Sequence, residues 1–191
     1  MPLPAAAPRD KLHRRVIHCE GFAREDGLWD IEGHITDTKS YEFHNEWRGG
    51  IAPGVAVHDM WLRLTLDDDF VVRMVDVAFD ATPFPLCGDI AGAYQQLVGL
   101  TLGPGWSRAV RSALGGRRGC THVTELLGPM ATVAFQTIIA EKRRRARAAA
   151  RNESEQKWRE KPPFIDGCHA WVADGEVVRR FLPEFYKGGG E

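Results

Sequence analysis

His-Asp-Met-Trp-Leu-Arg-Leu-Thr-Leu-Asp-Asp-Asp-Phe-Val-Val-Arg-Met-Val-Asp-Val-Ala-Phe, residues 58–79, is where the fold of this chain is decided. From Met60 to Leu66 every second residue is apolar, with Trp61, Arg63 and Thr65 between them, the period of a strand with one buried face. Three aspartates then turn the chain, and Phe70 to Phe79 returns as a second β-prone run. The aspartates lack the spaced pattern and distal glutamate of a calcium loop, so they read as a solvated turn.

Upstream, Arg15 to Phe22 and Leu28 to Thr36 are shorter β-prone runs around a polar turn ending in Gly27, which predicts another hairpin. Lys39 to Trp47 either extends that sheet or leads into the Gly49-Gly50 loop. Downstream the period changes. Residues 89–98 read as helical with Asp89 as N-cap. Trp106 to Leu114 reads as a helix closed by Gly115 and Gly116, and Thr121 to about Arg151 as a longer one kinked at Gly128-Pro129. Cys168 to Val178 reads as a small hairpin through Ala173-Asp174-Gly175. Strands followed by helices predict an α+β fold: an antiparallel sheet from the N-terminal half, helices from the C-terminal half packed on one face, and a small C-terminal hairpin. The expected organisation is a flexible arm over 1–14, one α+β domain over 15–151, and a linker with the hairpin packed on the domain over 152–191.

Composition narrows the function. The 191 residues, 43% of them hydrophobic, suffice for one sizeable core. A net charge of -1 argues against an obligate nucleic-acid partner, which needs clustered unpaired cations. The basic run Lys142 to Arg151 reads as a solvated helical extension. No apolar stretch near the roughly 18 residues of a membrane span stands out, and no signal segment is read at the N-terminus. These features predict a cytoplasmic protein acting on a small molecule, with no membrane partner and room for a homo-oligomer. The four cysteines are too few and too scattered for a disulfide framework, and no C-x-x-C pair occurs.

Chemistry concentrates at Arg118-Gly-Cys-Thr-His-Val-Thr-Glu125. A thiol, an imidazole and a carboxylate are the side chains that most often bind transition metals or move protons, and His122 and Glu125 share a helix face. Cys120 sits at the helix start, where the dipole favours a thiolate or an anion. His122, Glu125 and Cys120 are therefore the expected catalytic residues. His58, Asp59 and Cys87 join Cys120 and His122 as the expected ligands of zinc or non-haem iron, should a metal take part. A second version pairs Cys120 and His122 with Cys168 and His169 as a closed structural site. Trp61 and Trp106 are candidates for the wall of an aromatic or acyl pocket, although large aromatics more often pack. Asp37 and Lys39 either line that pocket or cap a turn. Cys19 reads as a buried apolar residue and His34 as a hydrogen-bonded sheet histidine.

Four segments carry a resemblance: Glu-Gly-His-Ile-Thr-Asp-Thr-Lys (32–39), Val-His-Asp-Met-Trp-Leu-Arg-Leu (57–64), Arg-Gly-Cys-Thr-His-Val-Thr-Glu-Leu-Leu (118–127) and Asp-Gly-Cys-His-Ala-Trp (166–171). Together they look like a bacterial family described only as a domain of unknown function, which implies no activity. Residues 57 to about 140 are also similar, more faintly, to the U-type iron-sulfur cluster scaffold proteins. That likeness implies metal ligation by Cys87 and Cys120, with Asp59 as the acidic ligand and no cysteine at the first ligand position. The expected function is a small-molecule enzyme of lyase, decarboxylase or hydrolase type, metal-assisted or not. The alternatives are a zinc or iron-sulfur scaffold and a non-catalytic interaction domain.

Overall fold

The computed structural model describes residues 3–149, 158 and 160–188. They fall into two compact units, residues 1–142 and 143–191. The first unit is built on a four-stranded antiparallel sheet of β1 (His13–Ala23), β2 (Trp29–Lys39), β5 (Ala56–Leu66) and β6 (Val72–Ala81), in the order β1-β2-β5-β6. β3 (Phe43–Asn45) and β4 (Gly49–Ile51) form a separate two-stranded ribbon in the excursion between β2 and β5, so the 39–47 run does not extend the main sheet.

Strand alternation sorts the side chains as the sequence predicts. Trp29, Ile31 and Ile35 of β2 lie opposite Leu66, Leu64 and Met60 of β5, and all are buried. The other face stays open: Trp61, Phe22 and Met74 are more than a third exposed there. The Asp67-Asp68-Asp69 turn is structural, since the Asp67 carboxylate accepts the backbone N–H groups of Asp69 and Val71, each at 2.9 Å. It also pairs with Arg73.

Two α-helices follow, α1 (Trp106–Leu114) and α2 (Thr121–Ala149). α1 buries Trp106, Val110 and Leu114, one stripe at i, i+4, i+8. α2 buries Val123, Leu126, Leu127, Met130, Ala134 and Ile138, which join the sheet residues in one core. Its helical assignment continues through Pro129. By length and composition α2 could cross a membrane, contrary to the sequence reading, yet a third of its apolar window is buried. The segment expected to be helical from Asp89 is a 3-10 helix, Pro85–Leu97, that begins four residues earlier. Phe84 is extended and Pro85 takes the first helical position, so proline's fixed φ starts the element before Asp89 can cap it.

In the second unit the expected hairpin is absent. His169–Trp171 is a 3-10 turn and Glu176–Phe181 is a short helix, α3. The Val177-Val178 pair suggests a strand, but Glu176 in the first turn and Arg179 and Arg180 in the last complement a helix dipole. Burial of Val178 with Ile165, Ala173 and Leu182 then fixes that helix.

Candidate functional site

β1, β2, β5 and the start of α2 converge on one carboxylate. Asp37, near the C-terminal end of β2, is 1% exposed. Arg15 lies opposite it on β1 and holds it bidentately: Nε donates to Oδ1 at 2.8 Å and Nη2 to Oδ2 at 2.7 Å. His13 Nε2 is 3.1 Å from Oδ1. From the other side His58, its partner on β5, places Nδ1 3.1 Å from Oδ2, and His122 of α2 places Nε2 3.8 Å from the same oxygen. The strand register shifts immediately after this row, between Asp37 and Thr38 and again between Asp59 and Met60. Such irregularities re-aim side chains at the end of a sheet.

Charges settle the protonation states. Burial pushes the Asp37 carboxyl up, but the hydrogen-bonded, permanently charged Arg15, with smaller help from His58 and His13, holds it down at about 2. The carboxylate is therefore an anion at every physiological pH. His58 falls below the ordinary imidazole value because of burial and the nearby His122, against the pull of Asp37. His122 also falls, through burial and the Arg15 charge, against Asp37 and Glu125. The two rings stack with centroids 3.7 Å apart and planes 27° from parallel. Two protons on rings that close would repel by roughly 4 kcal/mol even at an effective dielectric of about 20, so the pair carries at most one. With Asp37 accepting, His58 holds its proton on Nδ1 and leaves Nε2 as a base.

Beside the pair lies a cavity of ≈ 510 Å³. Met60, Phe84, Leu86 and Ile90 make its apolar wall, while His58, His122, Cys87 and Cys120 supply reactive groups. Its size is within the roughly 300–1,000 Å³ common for small-molecule sites.

The expected site residues separate into three groups. His58, Cys87, Cys120 and His122 meet at this cavity. Glu125 pairs with Arg15 and is tied to the Asp37 network through that cation. Asp59, Trp61, Trp106 and Lys39 are elsewhere. Asp59 is on the open face, bound to His34, which stacks on Trp61 at 3.7 Å. Strand alternation causes this, because neighbours His58 and Asp59 must point to opposite faces. Trp61 donates its indole N–H to Asp80 and lines a separate hollow of ≈ 220 Å³ on the open face, whereas the buried Trp106 donates its own to the Leu127 carbonyl, a packing role in place of the expected pocket wall. Lys39 lies over the Tyr41 and Phe43 rings at 5.3 and 5.5 Å. Cys168 and His169 belong to the second unit.

Arg15 and His13 were not among the expected site residues, and Asp37 was expected only as a pocket or turn residue. A hairpin folded about Asp26 already places Arg15 opposite Asp37, so strand register was the available signal. A metal is poorly suited to this arrangement. The ligand atoms of Asp37, His58 and His122 lie within 4.8 Å of one another. However, Arg15 already engages both carboxylate oxygens, and face-to-face imidazoles do not converge their in-plane lone pairs on one point.

A family model described as "Protein of unknown function (DUF2889)" matches residues 13–136, well over half of the chain, and the chain belongs to that family. No curated protein and no solved structure matches it, so the likeness to iron-sulfur scaffold proteins has no support there.

Proposed function

We propose that this DUF2889 member is a small-molecule enzyme whose acid/base pair is His58, hydrogen-bonded to the buried Asp37 carboxylate, and His122, stacked on the His58 ring. The carrying observation is the geometry of that trio: two stacked imidazoles of lowered pKa beside one ionised carboxylate, His58 at 3.1 Å and His122 at 3.8 Å from it, at the mouth of an apolar-walled cavity. A neutral imidazole with a free nitrogen near pH 7 abstracts protons without first losing one, the condition general base catalysis needs. The wall suits an aromatic or short acyl group; a hydrolase or lyase would use the neutral imidazole to take a proton from water or substrate, and a decarboxylase would use the protonated one to deliver a proton to the enolate left when CO2 departs. All four cysteines are free, in keeping with a cytoplasmic setting.

A panel of aryl and acyl esters, thioesters and 3-oxo acids, followed by NMR, tests the proposal. At least one member should be consumed, and His58→Ala and Asp37→Asn should each slow it by about 100-fold or more. A panel left intact, or turnover indifferent to both substitutions, overturns the reading. Stoichiometric zinc or iron in untagged protein that disappears in His58→Ala would overturn the metal-free pair.

A further inference from the structure

Cys120 immediately precedes α2, and its backbone is clamped. Its N–H donates to the Tyr94 hydroxyl at 3.1 Å, and its carbonyl accepts from that hydroxyl at 3.0 Å. Tyr94 is fully buried and is held in turn by Thr124 Oγ1 at 2.9 Å. The side chain of Cys120 faces the cavity, with Sγ 3.9 Å from Nδ1 of His122. The other nitrogen of that ring, Nε2, is the one 3.8 Å from Asp37. A thiol, an imidazole and a carboxylate thus stand in sequence, the imidazole presenting one nitrogen to each. Because the carboxylate only accepts, the His122 proton belongs on Nε2, and Nδ1 is open toward the thiol. Spacings near 3.9 Å are looser than a hydrogen bond, as is common before substrate closes a site.

We propose that Cys120 is a covalent nucleophile that takes the acyl group of a small, uncharged aromatic or aliphatic ester or thioester, with His122 as its base and Asp37 orienting that base. The proposal rests on the acid/base reading above. The substrate class follows from the cavity wall, which among the described residues carries no lysine or arginine and one carboxylate, Asp89, so an anionic acyl group finds no countercharge. In the first step Sγ bonds to the acyl carbon and its proton passes to His122 Nδ1. The carbon–oxygen or carbon–sulfur bond to the leaving group then breaks, and the leaving group departs with that proton. Water next gives its hydroxyl to the acyl carbon and a proton to His122. The thioester bond breaks, and the proton returns to Sγ. The developing oxyanion lies near the start of α2, where helix geometry leaves the N–H groups of Thr121, His122 and Val123 without intrahelical acceptors.

Full-length protein mixed with p-nitrophenyl benzoate or p-nitrophenyl butyrate should release a nitrophenolate burst of one equivalent. It should also gain one acyl group on the peptide carrying Cys120. Cys120→Ser should abolish burst and adduct, His122→Ala should slow acylation by about 100-fold, and Cys168→Ala should change neither. Independently of those variants' folding, iodoacetamide at pH 7 should alkylate Cys120 in the wild-type protein at least about tenfold faster than the more exposed Cys168. An acyl group on another residue, ester turnover that survives Cys120→Ser, or Cys120 alkylation no faster than Cys168 overturns the covalent role. Survival of turnover in Cys120→Ser with loss in His58→Ala would leave the acid/base reading standing; indifference to both would overturn that reading too.

Discussion

Asp37 is the residue on which the site depends, because one buried carboxylate holds Arg15, His13 and His58 within hydrogen-bond distance and lies 3.8 Å from His122. Its pKa of about 2 lies below the ordinary 3.8, so its contribution to stability is complete above about pH 4 and is lost as the pH falls toward 2. The shift corresponds to about 2 kcal/mol. Urea titrations of the wild-type protein should show this acid loss, whereas Asp37→Asn should start about 2 kcal/mol less stable at pH 7 and change less between pH 4 and 2. Equal acid slopes would detach the carboxylate from the fold. The histidines run the opposite way from a histidine that gains a partner on folding. Their lowered pKa values mean the unfolded chain takes up protons first, so stability declines as the pH drops below about 6.5. If they act as bases, kcat/KM should rise along a limb with an apparent pKa below 6.5 that belongs to the pair.

Among the elements, α2 explains most of the architecture and shows how close packing is arranged. Gly33 of β2 faces it: a Cβ there would stand 2.7 Å from Met130 Sδ and 3.4 Å from Leu126 Cβ. Gly21 of β1 is similarly crowded by Thr137. The helix therefore lies over two glycines, close enough to bring its first turn, with His122, to the sheet row of Asp37 and His58. Gly33→Val should destabilise the protein by about 1–3 kcal/mol through overpacking, and Met130→Ala added to it should recover part of that loss. Additive losses in the double variant would mean the two positions do not touch. The strands and α2 were legible because their apolar period persists over many residues. Pro85–Leu97 was less so, since its start depends on a proline rather than on a pattern, and the first half of α3, Glu176 to Val178, falls in the expected 168–178 hairpin because six residues are too short for a period to outweigh two adjacent valines.

At the scale of the whole molecule, every buried member of the main core lies between Trp29 and Ile138. The second unit has a small cluster of its own around Ile165, Ala173, Val178 and Leu182. A chain cut after Lys142 should therefore keep a single cooperative urea transition, with stability within about 1 kcal/mol of the full chain; a broad transition or a collapsed midpoint would show that the division is not thermodynamic. The sequence by itself determined the α+β class, the β1-β2 and β5-β6 hairpins and the two main helices, because alternation and helical period record which face each residue must bury; it offered the meeting of His58, Cys87, Cys120 and His122 only as one of two possible groupings. Only the tertiary structure decided that Asp37, rather than Asp59, completes the site, that Arg15 neutralises it and that the two imidazoles stack. Those facts arise from cross-strand register and from the closeness of α2 to glycines, and neither is written in any one segment.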